Sequence, residues 1–152
     1  MPTPPFVRPA RAGDADEIAR LSGELGYPVS AAVMRERLAR VLASSADRLL
    51  VCEAEGGAVV GWMQAHAAST VESGLKVEIV GLVVSGLARR AGVGRALVAA
   101  AEGWAREQSA DGLVVRSNVR RLESHRFYPA VGFSLLKTQH VYLRDLKRGE
   151  PT

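Results

Sequence analysis

The sequence predicts one α/β domain, in which helices cover both faces of a mixed, mostly antiparallel sheet of six to seven strands. The 152 residues are about the size of one domain, and no linker divides them. Glu55-Gly56-Gly57 is typical of a hairpin turn between antiparallel strands. Lys76–Val84 is apolar on both faces, as in a central strand covered by helices, and a later strand–helix–strand crossover makes the sheet mixed.

The chain before the hairpin predicts one strand and two helices. Phe6–Arg8 has the pattern of a short first strand. Asp14, with Glu17 three residues further on, predicts the start of the first helix, and Ser30 predicts the start of the second. Apolar residues at helical spacing predict the buried faces, which are Ile18, Leu21 and Leu25 in the first helix and Met34, Leu38 and Val41 in the second.

Strands at Arg48–Ala54 and Ala58–His66 flank the hairpin turn. In the following central strand, simple alternation places Glu78 on the face of Val80, Leu82 and Val84, opposite Val77, Ile79 and Val83. The remaining elements are a helix with the buried face Val93, Leu97, Ala100 and Trp104, a strand Leu113–Val115, a helix Leu122–Ala130, and one or two closing strands within Phe133–Leu143.

Composition excludes several classes of protein. Hydrophobic residues make up 47% and charged residues 24%, an ordinary globular balance, and the single Cys52 allows no intrachain disulfide. Residues 1–5 are interpreted as a flexible lead-in without signal-peptide features, and no apolar stretch is long enough to span a membrane, so we expect a cytoplasmic protein without membrane contact. The net charge of +4 is scattered along the chain, so nucleic acid is not an expected partner. His66, His125 and His140 are scattered as well, and no metal site is expected.

A glycine loop joins the central strand to the next helix. The strand ends at Val84, and Gly92-Val93-Gly94 opens the helix. The first N–H groups of a helix have no partner within it, and its dipole favours negative charge there, so this arrangement suits an anion such as a pyrophosphate. Arg89, Arg90 and Arg95 add cations. The Gly-Lys-Ser/Thr ending of a Walker loop is absent, and Leu97 stands where a dinucleotide fingerprint needs its third glycine. The alternative to an anion site is that the glycines only form a tight turn.

These residues resemble a known family. Arg89-Arg90-Ala91-Gly92-Val93-Gly94, with the strand Val77–Val84 before it, is similar to the acyl-CoA loop and fourth strand of the GNAT N-acetyltransferases. Ser117-Asn118, His125-Arg126-Phe127-Tyr128 and Gly132-Phe133 resemble the later elements of that family. The resemblance covers about Lys76 to Phe133 and is to small stand-alone bacterial members. It implies a splay between strands four and five and acetyl-CoA as the acyl donor, with CoA as the product.

The same resemblance implies which residues contact the cofactor. They are Leu82, Val83, Val84, Arg89, Arg90, Ala91, Gly92, Val93, Gly94, Arg95, Asn118 and Tyr128. Asn118 is interpreted as closing the fifth strand, where its amide either contacts the cofactor or satisfies the strand end. We expect a backbone N–H near Val83 or Val84 to hold the oxyanion of the reaction.

Two side chains could move protons. Glu78 is the one carboxylate in an apolar strand, where desolvation makes a carboxylate a better base, and its place resembles that of a catalytic glutamate in the family. Its alternative is a carboxylate that pairs with an arginine or lysine, or that only orients the substrate. Tyr128 suits reprotonation of the CoA thiolate, and in the family a tyrosine at this place points at the sulfur. Its alternative is an aromatic side chain packed beside Phe127.

The predicted function is transfer of an acetyl group from acetyl-CoA to a primary amine. The acceptor is an unidentified small molecule or a peptide amine, that is, a protein lysine or N-terminus. Trp62 and Tyr27 lie in regions that the resemblance assigns to the walls of the acceptor site, although either could serve packing alone. The alternative function is an acyl-CoA-binding or regulatory module without catalysis. A homodimer is an expectation at the level of the family.

Overall fold

The computed structural model describes residues 5–89 and 91–147, in two compact units that meet in sequence between Asn118 and Val119. Arg90 and the start of the predicted lead-in, residues 1–4, therefore lie outside the described residues. In the first unit the elements are β1 (Phe6–Pro9), α1 (Ala15–Glu24), α2 (Ala31–Leu42), β2 (Asp47–Glu53), β3 (Val59–Thr70), β4 (Gly74–Val84), α3 (Val93–Glu107) and β5 (Gly112–Val115). The second unit contains α4 (Leu122–Ala130).

The strands form one mixed sheet in the order β1-β2-β3-β4-β5. The first four strands pair antiparallel, and β5 joins β4 in parallel after the α3 crossover. β4 pairs with β3 along its whole length, from Gly74 to Val84, but with β5 only from Lys76 to Ile79. The two strands therefore part after Ile79, which confirms the predicted splay.

The predicted strand count is wrong for the described residues. The sheet has five strands, and Phe133–Leu143 contributes none of them. An apolar pattern can favour an extended backbone, but a strand also needs a neighbour that accepts and donates its ladder hydrogen bonds. The segment forms no strand pairing in the described part of the chain, and Leu135, Leu136, Val141, Tyr142 and Leu143 are exposed.

Helices cover both faces of the sheet, as predicted. α1 and α2 share a buried cluster with one face, made of Ile18, Leu21, Met34, Leu38, Leu49, Val51, Val59 and Val83. α3 covers the other face at Gly61. A Cβ at Gly61 would lie 2.8 Å from Cγ1 of Val93 and 3.3 Å from Cδ1 of Leu97, so glycine permits the close approach of helix and strand.

A β-bulge in β4 changes which residues share a face. Ala65 pairs with Ile79 and Gln64 pairs with Gly81, so Val80 is an extra residue on β4. Glu78 lies opposite His66, and Val83 lies opposite Trp62, two residues of β3 that share a face. Glu78 therefore lies on the face of Val83, which α1 and α2 cover. The predicted grouping of Glu78 with Leu82 and Val84 is wrong because simple alternation does not account for the extra residue.

The two predicted helix starts have different outcomes. Ser30 caps α2, since its Oγ accepts a hydrogen bond from the N–H of Val33 at 3.2 Å. Asp14 stands at the N-cap of α1 but does not cap it through its side chain. Its carboxylate instead accepts two hydrogen bonds of 2.9 Å from Arg8, whose Nε also donates to Glu53 at 2.7 Å. The Arg8 hydrogen bonds outweigh burial and hold the pKa of Asp14 below its usual value.

The described helices can also be compared with the dimensions of a membrane. Across residues 5–89 and 91–147, none of them combines the length and the apolar character that a membrane crossing requires.

Candidate functional site

The opening between β4 and β5 is the first component of the candidate site. From Val80 to Val84, β4 has no described strand on its β5 side. Backbone groups on that side need hydrogen-bond partners, which an extended ligand could supply. Val80, at the bulge, is 48% exposed. The opening thus offers a polar backbone edge beside apolar side chains.

The loop after β4 is the second component. Ser85 turns the chain: its N–H donates to the carbonyl of Val60 at 2.8 Å, and its Oγ accepts from the N–H of Leu87 at 3.3 Å. The chain then reaches Gly92, the N-cap of α3, with a φ of +83°. Val93 and Gly94 form the first turn of α3, so the unpaired N–H groups of the helix start lie directly after the loop that closes β4.

Charge and backbone conformation at this helix start suit an anion. Arg89 and Arg95 are exposed on either side of Ala91 and Gly92, and they add positive charge to the positive end of the helix dipole. A glycine is needed at position 92 because the φ there is left-handed. Space is not the reason, since the nearest atom to an added Cβ, Cγ of Pro5, is 4.0 Å away. The tight-turn interpretation is therefore also correct for Gly92. Arg90, the third predicted cation, lies outside the described residues.

Glu78 lies on the face covered by α1 and α2, and its side chain is 29% exposed. Its Oε1 accepts a hydrogen bond of 3.1 Å from Nε of Arg116, which follows the end of β5. Glu78 is therefore less enclosed than its apolar strand predicts. The arginine pairing that the sequence left as an alternative is present, and it fixes the orientation of the carboxylate.

A histidine that the sequence left unassigned lies beside Glu78. His66 is the cross-strand neighbour of Glu78 on β4 and of Asp47 on β2. Nδ1 of His66 lies 3.0 Å from Oδ1 of Asp47, which also accepts a hydrogen bond of 3.0 Å from Gln64. Burial alone would raise the pKa of Asp47, but hydrogen bonds from Ser44, Gln64 and His66 outweigh it and the pKa is lowered. Asp47, His66 and Glu78 thus form a row of polar side chains across three strands.

The sequence predicts this pairing of Asp47 with β3 to within one residue. Counting outward from the predicted turn pairs Asp47 with Ala65. A bulge between Cys52 and Glu53 in the β2–β3 pairing shifts the register by one residue and brings Asp47 opposite His66. Among the described residues, no group of three or more His, Cys, Asp or Glu side chains is arranged to hold a metal ion.

The sequence comparison assigns the fold and the loop to a family. The profile described as the acetyltransferase (GNAT) family matches residues 16–133. The chain belongs to this GNAT acetyltransferase family. The matched range includes β4, the glycine loop, β5 and α4. The comparison with curated proteins gives no match.

Solved structures share the GNAT fold at low sequence identity. An aminoglycoside 6'-N-acetyltransferase of Acinetobacter baumannii, AAC(6')-Ih, superimposes with a TM-score of 0.82 at 15% identity, over 93% of this chain and 99% of that chain. AAC(6')-Iy, in complex with the bisubstrate analogue CoA-S-monomethyl-acetylneamine, has a TM-score of 0.82 at 16% identity, over 94% and 99%. A putative acetyltransferase from Agrobacterium tumefaciens has a TM-score of 0.81 at 20% identity, over 91% and 99%. These likenesses show the fold.

Trp62 extends the polar row toward the opening. Its indole ring lies across Gly81, where an added Cβ would come within 2.6 Å of the ring. Nε1 of Trp62 is buried and has no hydrogen-bond partner, so a donor is available on the face that carries Glu78. Tyr27, between α1 and α2, is 58% exposed. Trp62 thus has an unpartnered donor, and Tyr27 has exposed surface.

Tyr128 lies in α4, within the second unit. Its ring packs edge-on against Phe127 at 5.1 Å and Phe133 at 5.6 Å between ring centroids. Burial raises the pKa of Tyr128 above its usual value of 10, and the charge of Arg121 opposes this shift only in part. The packed-aromatic alternative is therefore present, and the phenol stays protonated at neutral pH.

Asn118 lies three residues beyond Val115, where β5 ends. It is exposed and closes the first unit rather than the strand. The expectation that Asn118 closes the strand is wrong, because β5 ends at Val115, and the role of its amide at the strand end stays a prediction. Its predicted contact with the cofactor stays a prediction.

Proposed function

We propose that this protein transfers an acetyl group from acetyl-CoA directly to a primary amine. The observation that carries the proposal is the opening between β4 and β5, which leads into the glycine loop and the start of α3. Membership of the GNAT acetyltransferase family supports acetyl transfer in general. The acceptor is a small molecule or a peptide amine, and its identity is open.

The described residues fit a CoA thioester. The N–H groups at Val93 and Gly94, with Arg89 and Arg95, would bind the pyrophosphate. The backbone of Leu82–Val84 along the opening would hydrogen-bond the extended arm, as a neighbouring strand would. The bisubstrate analogue bound by AAC(6')-Iy, a protein of the same fold, contains CoA and supports this assignment.

The first chemical problem is the proton of the acceptor. An alkylammonium has a pKa of about 10.4, so roughly one acceptor molecule in a thousand is free base at neutral pH. Glu78 would take the proton, directly or through a water molecule, while Arg116 orients its carboxylate from 3.1 Å. The carboxylate of Asp47, which lies two strands away beyond His66, adds negative charge to the same face and favours a cationic acceptor.

Two further groups would act on the thioester. A backbone N–H of Val83 or Val84 would stabilise the oxyanion that forms when the amine nitrogen bonds to the acetyl carbon. As the carbon–sulfur bond breaks, the phenol of Tyr128 would protonate the departing thiolate. The phenol is protonated at neutral pH, as this role requires, although burial raises its pKa and makes it a weaker acid.

Titration calorimetry and an acceptor screen test the proposal. Acetyl-CoA should bind saturably with one site per chain, and the double substitution of Arg89 and Arg95 by alanine should weaken the binding. The screen then follows release of free CoA thiol across aminoglycosides, polyamines, amino acids and lysine peptides. The absence of saturable acetyl-CoA binding would refute the proposal at its first step.

The ion pair between Glu78 and Arg116 favours a second candidate, an acyl-CoA-binding module without catalysis. The proposed base is already engaged by a guanidinium. In this case acetyl-CoA binds, but with every amine tested CoA is released no faster than by hydrolysis of the thioester in buffer. Substitution of Arg116 by glutamine, which frees Glu78, leaves that rate unchanged if the protein only binds.

A further inference from the structure

The hydrogen bond between His66 and Asp47 fixes which ring nitrogen carries the hydrogen. Nδ1 of His66 lies 3.0 Å from Oδ1 of Asp47. The pKa of Asp47 is held below its usual value, so at neutral pH its carboxylate is ionised and can only accept hydrogen bonds. The hydrogen therefore belongs to Nδ1, and in the neutral ring Nε2 keeps a free lone pair.

This lone pair faces the side of the sheet that carries Glu78. The two nitrogens lie on opposite sides of the imidazole ring, and Nδ1 faces Asp47 on β2, so Nε2 faces β4. There the directly paired residue is Glu78, and the Cβ atoms of such a pair lie about 5 Å apart. Among the described residues, Asp47 is the only hydrogen-bond partner of the ring.

Nε2 of His66 and the carboxylate of Glu78 are both hydrogen-bond acceptors. Two acceptors that face each other need a donor between them, and an ammonium group has three hydrogens to donate. The two groups also differ as bases. Reference pKa values place an imidazole roughly two units above a carboxylate, so an imidazole in general binds a proton about 100-fold more tightly.

We propose that His66 is a second catalytic base, and that the acceptor amine binds between its Nε2 and the carboxylate of Glu78. Asp47 is the positioning residue that orients the ring. The inference rests on the proposed acetyl transfer and deepens it, because it names the group to which the proton of the acceptor passes. Glu78 attracts the ammonium and takes its proton first, and Nε2 then receives that proton. The side chain of His66 is 43% exposed, so the proton can continue to solvent.

The proton count of the reaction requires such a route. An ammonium and acetyl-CoA give an amide, the CoA thiol and one free proton. The nitrogen–carbon bond forms, the carbon–sulfur bond breaks, and the nitrogen loses two protons. Tyr128 would protonate the thiolate, and one proton from the nitrogen restores its phenol. The other proton must reach solvent in every turnover, and it is the one that His66 carries.

The charged groups around the imidazole ring suit this role. Asp47 faces the ring from β2 and Glu78 faces it from β4, while Arg116 is bonded to Glu78. Lys76, one pair further along β4, extends over Gly112 of β5 and thus away from β3. No side chain of α1 or α2 bonds to the ring in the described part of the chain. The positive charge that the ring gains with the proton is therefore stabilised by carboxylates on both sides.

Steady-state kinetics of His66→Gln at several pH values test the role. With the amine that gives the highest rate, this variant should lower kcat about 100-fold near pH 7 without changing the calorimetric Kd for acetyl-CoA. The deficit should shrink at least about tenfold by about pH 9.5, because more of the acceptor is then free base. Gln64→Met is the matched control, since it removes the other hydrogen bond to Oδ1 of Asp47 but keeps the imidazole. It should leave kcat unchanged at every pH.

The kinetic outcomes separate this inference from the proposed function. A deficit of the same size at every pH, or no deficit, overturns the role of His66 alone, because the ring then serves only packing or hydrogen bonding. A wild-type chain that releases CoA with no amine overturns the proposed acetyl transfer and this inference with it.

Nitrogen NMR of the His66 ring tests the geometry without any turnover, and the spectrum of His66→Gln identifies its signals. At about pH 8, where an ordinary imidazole is neutral, the wild-type ring should carry its hydrogen on Nδ1 and none on Nε2. Asp47→Asn should shift the ring toward the form with the hydrogen on Nε2, because an amide can donate to Nδ1. A wild-type ring with its hydrogen on Nε2, or a ring that Asp47→Asn leaves unchanged, overturns the proposal.

Discussion

Replacement of Gly61 by alanine should destabilise the protein through the contact between β3 and α3. The new methyl group would lie 2.8 Å from Cγ1 of Val93, 3.1 Å from the carbonyl oxygen of Val83 and 3.3 Å from Cδ1 of Leu97. The backbone oxygen cannot rotate away, so the helix start or β4 must move. Insertion of a methyl group into a packed core costs about 1–3 kcal/mol, which lowers the melting temperature of a chain of this length by roughly 2–12 °C.

The matched control is Gly103→Ala, at an exposed position within α3 where an added Cβ meets nothing within 4 Å. Alanine there should raise stability by about 0.5–1 kcal/mol, since glycine is a poor helix former. Thermal melts followed by circular dichroism measure the stability of both variants. Calorimetry should also show that Gly61→Ala binds acetyl-CoA more weakly, because Val93 is the first residue of α3 after the glycine loop. A Gly61→Ala protein as stable as the wild type would refute the close packing of α3 on β3.

Three further substitutions test the proton-transfer residues and the Arg8 pair. Glu78→Gln should lower kcat by about 100-fold or more with little change in the calorimetric Kd for acetyl-CoA, and an unchanged kcat would remove its role as base. Tyr128→Phe should lower kcat at least about tenfold with the Kd unchanged, and full activity would leave the tyrosine as packing alone. Arg8→Met should cost about 2 kcal/mol at pH 7, since it leaves Asp14 and Glu53 without their partner. Because the pKa of Asp14 is lower in the folded protein than its ordinary 3.8, the ionised carboxylate stabilises the fold above pH 3.8. This stabilisation is lost as the pH falls through the pKa of the folded state. Urea melts should therefore show a smaller loss of stability on acidification for Arg8→Met than for the wild type.

Local sequence signals were sufficient for most elements of the first unit. Ser30 marks the start of α2 because its side chain can satisfy an orphan N–H, and the structure shows that hydrogen bond. The glycine loop was recognisable because glycines with nearby arginines follow a buried strand and open a helix, and the structure adds that Gly92 has a left-handed φ. Such signals involve residues that lie close together in sequence, and they therefore leave a readable pattern.

Features that depend on contacts between elements, or on irregular strand pairing, were not predictable. Asp14 has the sequence context of a capping residue, but Arg8 and the N–H of Arg11 take its carboxylate. The pairing of Glu78 with Arg116 joins residues 38 apart in sequence. Bulges at Val80 and next to Cys52 each shift a register by one residue, and neither leaves a clear compositional signal. Such errors are small in sequence but move a side chain to the opposite face.

The early parting of β4 and β5 has a thermodynamic consequence. Five residues of a central strand, Val80–Val84, depend on something other than the described sheet for hydrogen bonds on one side. A bound thioester arm would act there as a surrogate strand and complete the hydrogen bonding of the fold. Ligand at about 100 times its Kd would then add about 2.7 kcal/mol to the free energy of unfolding. The concentration of the acyl donor would thus affect the folded fraction of this protein as well as its reaction rate.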